Sequence, residues 1–204
     1  MQISNSQSQT IKWSLIIILG LTPGFSQFPH DEIDEWTILQ NNKSLIEWSP
    51  ESKYPWIRVS ETFPFPVEQL MKLIEDKTNY PKIFDRVEES VIVEPDIIYL
   101  KVDMPFPFSG RDYVVKYVTK LRNQHIIYQF SAVTHNDIPE NSDYVRLVNM
   151  AGKWELVPTS TNTTELTYTW NGELLGDFPE WAFERAWITQ GNEIIGWLYD
   201  ALEQ

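Results

Sequence analysis

The chain has 204 residues, 42% of them hydrophobic and 14% aromatic, enough to bury the core of one domain. Sixteen Lys and Arg stand against 29 Asp and Glu, a net charge of −13, and there is no cysteine. Disulfides and a lipoprotein acylation site are therefore excluded, and an acidic surface that repels phosphate backbones argues against nucleic acid as a partner.

Residues 1–26 read as a secretory signal peptide. Lys12 precedes the apolar run "WSLIIILGL" from Trp13 to Leu21, Pro23-Gly24 breaks it, and Gly24 and Ser26 supply small residues. Such a run reaches only ~15 Å as a helix, too short for a ~30 Å bilayer core. Cleavage is expected after Ser26, which exports the domain at 27–204 to a periplasmic or extracellular space. The alternative is an N-terminal membrane anchor at residues 13–21. Losing residues 1–26 removes one positive charge, that of Lys12, from −13 and leaves −14.

Two short strands, "WTILQ" (Trp36 to Gln40) and "SLIEWS" (Ser44 to Ser49), flank an Asn41-Asn42 turn. A longer strand follows over Pro55 to Phe63. "FPVEQLMKLIED" predicts a helix, with Pro66 in its first turn and Val67, Leu70, Met71 and Ile74 at helical spacing. "NYPKIFDRV" predicts a second, shorter one. From Ser90 the period becomes two. "VIVEPDIIYLKVDM" is read as strands bent at Pro95-Asp96, "DYVVKYVTKLR" and "HIIYQFSAVTH" as a pair joined at Asn123-Gln124, and "DYVRLVNMAGKWELVP" and "TTELTYTWNGEL" as another pair. The last segment, "PEWAFERAWITQGNEIIGWLYDALE", opened by Asp177 and Pro179, is a long helix. The class is α+β, with a curved antiparallel sheet that the last helix covers.

Alternation assigns faces. Lys101, Lys116, Lys120, Lys153, Glu155, Glu165, Thr167 and Thr169 face out. Ile98, Leu100, Val102, Met104, Tyr113, Val115, Tyr117, Thr119, Trp154, Leu156, Leu166, Tyr168 and Trp170 face in. Arg146 shares the inward parity with Val148 and Met150 if no bulge intervenes; a guanidinium there must meet a carboxylate, carbonyl groups or the polar end of a ligand. On the last helix Phe183, Trp187, Ile194, Leu198 and Ala201 form an apolar stripe. Arg185, Thr189, Asn192, Glu193, Gly196 and Asp200 lie opposite, and Gly191 and Gly196 mark weak points.

Against that background "PFPFSGRDYV" (Pro105 to Val114) resembles the Pro-x-Pro…Arg-Asp signature of START lipid-transfer domains, within the helix-grip superfamily. "NYPKIFDRVEESVIVE", "DYVRLVNMAGKWELVP" and "TYTWNGELLGDFPEWAFERA" are similar, in order, to further segments of that family, so that the likeness spans about residues 33–203. The resemblance implies a U-shaped sheet gripping the last helix, with a tunnel for one lipid or other apolar molecule. Some members carry a buried charged pair in the tunnel; here the position six residues after Arg111 is Tyr117. Pro105 and Pro107 each fix φ and remove a donor, Ser109-Gly110 turns the chain, and Arg111 and Asp112 are expected to tie the turn.

The expected function is non-catalytic binding of a lipid or other hydrophobic small molecule in an internal cavity, for transfer or sensing. The expected ligand contacts are Leu100, Val102, Tyr113, Tyr117, Arg146, Trp154, Tyr168, Phe183, Trp187, Ile194 and Leu198. No catalytic residue, metal ligand or cofactor is expected: His30 lies in the N-terminal tail, His125 on outward parity and His135 in a loop. The protein is expected to be a monomer with transient membrane contact. The alternatives are a cyclase- or hydrolase-like enzyme on the same scaffold, or an interaction module marked by a large exposed apolar patch.

Overall fold

The computed structural model describes residues 33–50, 54–176 and 178–204. The signal-peptide and anchor readings of residues 1–26 lie outside these residues, as do His30 and Asp177. Ten strands form one sheet: β1 (Thr37–Gln40), β2 (Leu45–Ser49), β3 (Trp56–Phe63), β4 (Val87–Glu94), β5 (Ile97–Val102), β6 (Gly110–Arg122), β7 (His125–Ala132), β8 (Tyr144–Arg146), β9 (Ala151–Ser160) and β10 (Thr163–Asn171). The helices are α1 (Val67–Glu75), α2 (Tyr80–Ile83) and α3 (Phe183–Leu202).

The strand order is β1-β2-β3-β10-β9-β7-β6-β5-β4, antiparallel throughout, and β8 pairs parallel with β6. The chain runs outward to β4, returns along hairpins, and β10 closes against β3. This is the expected α+β helix-grip architecture, with two short helices after the first strands and a long last helix.

Aromatic residues line up across the sheet because they share inward parity on paired strands. Tyr117 faces Phe130 and Trp154 faces Tyr168 in register. Their rings pack at 5.3 and 4.0 Å between centroids, and Tyr168 stacks on Trp170 at 5.0 Å. Gly152, opposite Phe130, leaves the space this ring takes: a Cβ there would stand 2.2 Å from it.

Helix α3 is held by its apolar stripe. Trp187 stacks on Trp48 of β2 and on Phe183, at 5.8 and 5.7 Å. Leu198 is wholly buried. Gly191 allows the helix to approach β2 closely, since a Cβ there would lie 2.9 Å from Ile46 Cδ1. It is a packing glycine in an unbroken 20-residue helix, not a weak point. Gly196 has open space beside it. Gln40 and Asn192 exchange side-chain hydrogen bonds at 2.9 and 3.0 Å, fastening α3 to β1.

One expectation about register needs correction. The segment Asp143 to Pro158 is not one strand, because β8 ends at Arg146 and β9 begins at Ala151. Residues 147–150 cross between them, with the Leu147 amide donating to the Asp112 carbonyl at 2.9 Å. Inward parity read back from Trp154 therefore does not reach Arg146. Val148 is exposed, and Leu147 and Met150 are buried.

Candidate functional site

Between α3 and the concave sheet lies a cavity of about 330 Å³. Most of its wall is aromatic or aliphatic: Tyr80 and Phe84 around α2, Leu100 and Val102 from β5 with Met104 just after it, Tyr113, Tyr117 and Phe130 from β6 and β7, and Trp154, Tyr168 and Trp170 from β9 and β10. Leu147, Met150, Phe108, Phe178, Ile194 and Trp197 add to the apolar lining. A hollow of this size and lining suits a small apolar molecule. The cavity reaches solvent between the 103–109 segment and the first turns of α3, where the lining residues Pro105, Arg185 and Thr189 are exposed.

The stiff corner forms one lip of this opening. After β5 the chain turns at Pro105, whose carbonyl accepts from the Phe108 amide at 3.1 Å. Phe108 then packs on Phe178 at 4.5 Å, joining the corner to the segment before α3. Arg111, 3% exposed, clamps the two from beneath. Its Nε donates to the Leu174 carbonyl at 3.0 Å, and Nη2 donates to the Leu174 and Leu175 carbonyls at 2.8 Å each. Its Nη1 donates to the Ser109 carbonyl. Leu175 has φ +44°, a left-handed conformation that costs a non-glycine residue on the order of 1–3 kcal/mol. The clamp from Arg111 is what holds it.

The polar groups fall at two ends. At the inner end the Tyr80 hydroxyl, beside that of Tyr117, donates to the Ile74 carbonyl at 2.7 Å. Tyr113 and Tyr168 stand beside them. Burial pushes all four phenols up, so they stay protonated donors through the neutral range. Toward the outer end lie Arg111, Glu173, Arg185, Thr189 and Gln190, with Arg86 held by Glu193 in a two-pronged ion pair at 2.6 and 2.7 Å. Donating to the Glu193 carboxylate raises the Arg86 guanidinium above its usual value.

Of the expected ligand contacts, Leu100, Val102, Tyr113, Tyr117, Trp154, Tyr168 and Ile194 line the cavity. Arg146, Phe183, Trp187 and Leu198 do not. Arg146 instead grips Asp112, whose side chain is fully buried, with Nε to Oδ1 at 2.9 Å and Nη2 to Oδ2 at 2.7 Å. Tyr99 also donates to that carboxylate at 3.0 Å. Of the three kinds of partner open to Arg146 it has two within the protein: this carboxylate, and the carbonyls of Ile138 and Pro139 at 3.4 and 3.1 Å. Phe183, Trp187 and Leu198 belong to the face of α3 that packs on the sheet and on its neighbours. The cavity face, Arg185, Ala186, Thr189, Gln190, Glu193 and Trp197, is turned about 100° from that stripe.

Tyr80, Phe84, Phe130, Leu147, Arg86, Arg111, Glu173 and Trp197 are wall residues that the sequence reading did not select. Phe130 was legible, sharing parity with Tyr128 opposite Trp154. Trp197 and Glu193 sit on the helix flank that amphipathicity assigns away from the core. Glu173 follows the last strand in a loop, where no periodicity operates. His125 and His135 pair with Glu155 and Glu94, at 2.6 and 3.2 Å, and neither lines the cavity.

No protein-family model matches the chain. An uncharacterized protein of Pseudomonas aeruginosa is 32% identical over 83 residues, 41% of this chain and 41% of that protein, so the match spans about two fifths of the relative's length. Among solved structures, a STAR-related lipid transfer protein fragment from Xanthomonas axonopodis superposes with a TM-score of 0.72 at 20% identity, covering 84% of this chain and 100% of that one. Human StAR-related lipid transfer protein 5 gives a TM-score of 0.75 at 16% identity, over 83% and 86%. The Zhui aromatase/cyclase from a Streptomyces strain gives 0.51 at 16%, over 72% and 92%.

Proposed function

We propose that the chain, which has the helix-grip fold of START-related lipid-transfer domains, binds one lipid or other apolar small molecule between the sheet and α3 and carries or senses it without converting it. The observation that supports this most is the wall itself: stacked aromatic and aliphatic side chains around about 330 Å³, with hydroxyls inside and charges toward the opening. Such a wall favours an occupant with a large apolar body, because each buried methylene contributes about 0.8 kcal/mol. The lipid-transfer proteins that share the fold support the same reading.

In this proposal residues 1–26 direct export and the domain occupies residues 27–204 as a monomer, the alternative being a membrane anchor at residues 13–21. Transient contact with a membrane fits Phe106 and Trp181, 97% and 85% exposed, which flank the opening on the corner and before α3. Aromatic rings at such positions partition to a membrane interface.

A second reading is an enzyme acting on a hydrophobic substrate. It draws on the aromatase/cyclase neighbour and on the protonated phenols that line the inner end. Native mass spectrometry of protein purified from the organism that makes it, followed by extraction, separates the two. The carrier reading expects one apolar molecule per chain, recovered unchanged after incubation with apo protein. Conversion of that molecule to a new product would establish the enzyme, and failure of the apo protein to rebind any extracted apolar molecule would overturn both.

A further inference from the structure

The two polar ends of the cavity differ in how fully protein groups answer them. At the inner end Tyr80 donates to a backbone carbonyl, and the other polar groups are neutral phenols, which can turn a hydroxyl as donor or acceptor. Glu173, toward the other end, stands in the wall immediately after β10. Its Oε1 accepts one long hydrogen bond, from Asn149 Nδ2 at 3.3 Å. Its Oε2 is buried and has no hydrogen-bond partner among the described residues.

A carboxylate offers about four acceptor sites, and leaving a charged acceptor unmet in a water-poor wall is costly. The neighbouring cation does not answer it. Arg111 spends its donors on the carbonyls of Ser109, Leu174 and Leu175 and forms no ion pair with Glu173 among the described residues. The group that meets Oε2 therefore comes from the occupant, and it must be a donor. A cationic donor is disfavoured, because the lining carries Arg86, Arg111 and Arg185 against Glu173 and Glu193. A deprotonated carboxylate head has no donor to give. A neutral hydroxyl fits both conditions.

We infer that Glu173 reads the occupant: its Oε2 accepts a hydrogen bond from a hydroxyl on an otherwise apolar molecule, and so selects alcohols over matching hydrocarbons, ethers and acids. This rests on the carrier reading. Glu173 is a specificity residue in this scheme, and the apolar wall supplies most of the affinity.

Trp154, Trp170 and Trp197 line the cavity, so a change in intrinsic fluorescence as an alkyl chain replaces water beside them reports occupancy. Apo protein is titrated with 1-dodecanol, dodecyl methyl ether, dodecanoate and dodecylamine, in the wild type and in Glu173→Gln and Glu173→Met. Wild type is expected to bind dodecanol about tenfold more tightly than the ether, as a hydrogen bond to a charged acceptor implies, and more tightly than either ionic probe. Glu173→Gln is expected to cut the alcohol-to-ether ratio at least threefold and Glu173→Met to bring it near one, with ether affinity unchanged. The ratio within each variant is independent of its stability, and the Gln variant, equal in shape, keeps the test open if the Met variant fails to fold. An alcohol preference that survives both substitutions overturns the inference, as does dodecanoate or dodecylamine as the tightest probe. Equal binding of all four overturns it while leaving the carrier reading intact. Binding of none overturns both.

Discussion

Helix α3 shows two faces to the same sheet, and they obey different rules. One face, Phe183, Trp187, Gly191, Ile195 and Leu198, packs on the strands and helices around it with no space left, down to a glycine where Ile46 approaches. The other, Arg185, Thr189, Gln190, Glu193 and Trp197, looks across the cavity. The apolar face serves stability and the mixed face serves the hollow. The side of a helix that faces a cavity need not be its most hydrophobic side. A face that must hold the fold together without ligand is filled completely, whereas a face at an opening has to tolerate water.

Trp187→Ala is the strongest way to break this comparison. Trp187 is buried between Trp48, Phe183 and the sheet, so its loss is expected to cost about 3–5 kcal/mol of apo stability. Affinity for an alkyl probe should be retained in what folds. A stable variant with lost binding in denaturant melts and titrations would put Trp187 on the cavity after all.

Arg146→Met tests a second contrast, between two arginines. Arg111 lines the cavity and Arg146 lies behind the sheet on buried Asp112. Removing one partner of such a pair leaves an uncompensated charge, and about 3 kcal/mol of stability should go. The relative affinities of alcohol and ether probes should not move. A shift in that ratio would return Arg146 to the site.

Alkaline titration sharpens the same region. Burial, and then the hydrogen bond to Asp112, push Tyr99 up to about 12 from its ordinary value near 10. An acid whose folded value is raised contributes stability that is complete below pH 10 and is lost as pH rises toward 12. At about 1.4 kcal/mol per unit, roughly 2 kcal/mol should disappear across that window. The drop should be smaller in Tyr99→Phe, as measured by urea unfolding at pH 9 and pH 11.5.

Glu193→Gln should have the smallest effect on stability. Its ion pair with Arg86 is partly exposed, at 27% for each side chain, and such pairs contribute about 0–1 kcal/mol. Because the pair lies on the cavity wall, the rate of probe release should rise in stopped-flow fluorescence and lose its dependence on salt. An unchanged release rate would show that the pair does not control passage.

Much of the fold was legible in the sequence because it depends on local periodicity. Alternation over Tyr113 to Tyr117 and over Leu166 to Trp170 assigned the inward face correctly, since pleating permits only two faces; Thr119, read as inward by the same count, is exposed because the outer part of β6, residues 118–122, is exposed on both faces. Spacing in α1 and the proline-rich corner were likewise readable, because helical repeat and fixed φ are properties of the residues themselves. The wall residues carried by strands were therefore mostly foreseen. Three kinds of residue were not. Arg146 was lost at a strand break that its own pairing with Asp112 makes sense of, and no count of parity crosses such a break. Phe183, Trp187 and Leu198 were placed on the wrong side of the hollow: amphipathicity finds the face that packs, but not the flank turned to a cavity. Glu173 and Arg111 acquire their meaning only from the loop that brings the carbonyls of Leu174 and Leu175 over the guanidinium. Sequence by itself determined which residues could form each element and which side of a strand faced inward, since those follow from backbone geometry. Only tertiary structure decided how α3 is rotated in the sheet's grip and which buried charges find partners, since both depend on contacts between residues far apart in the chain.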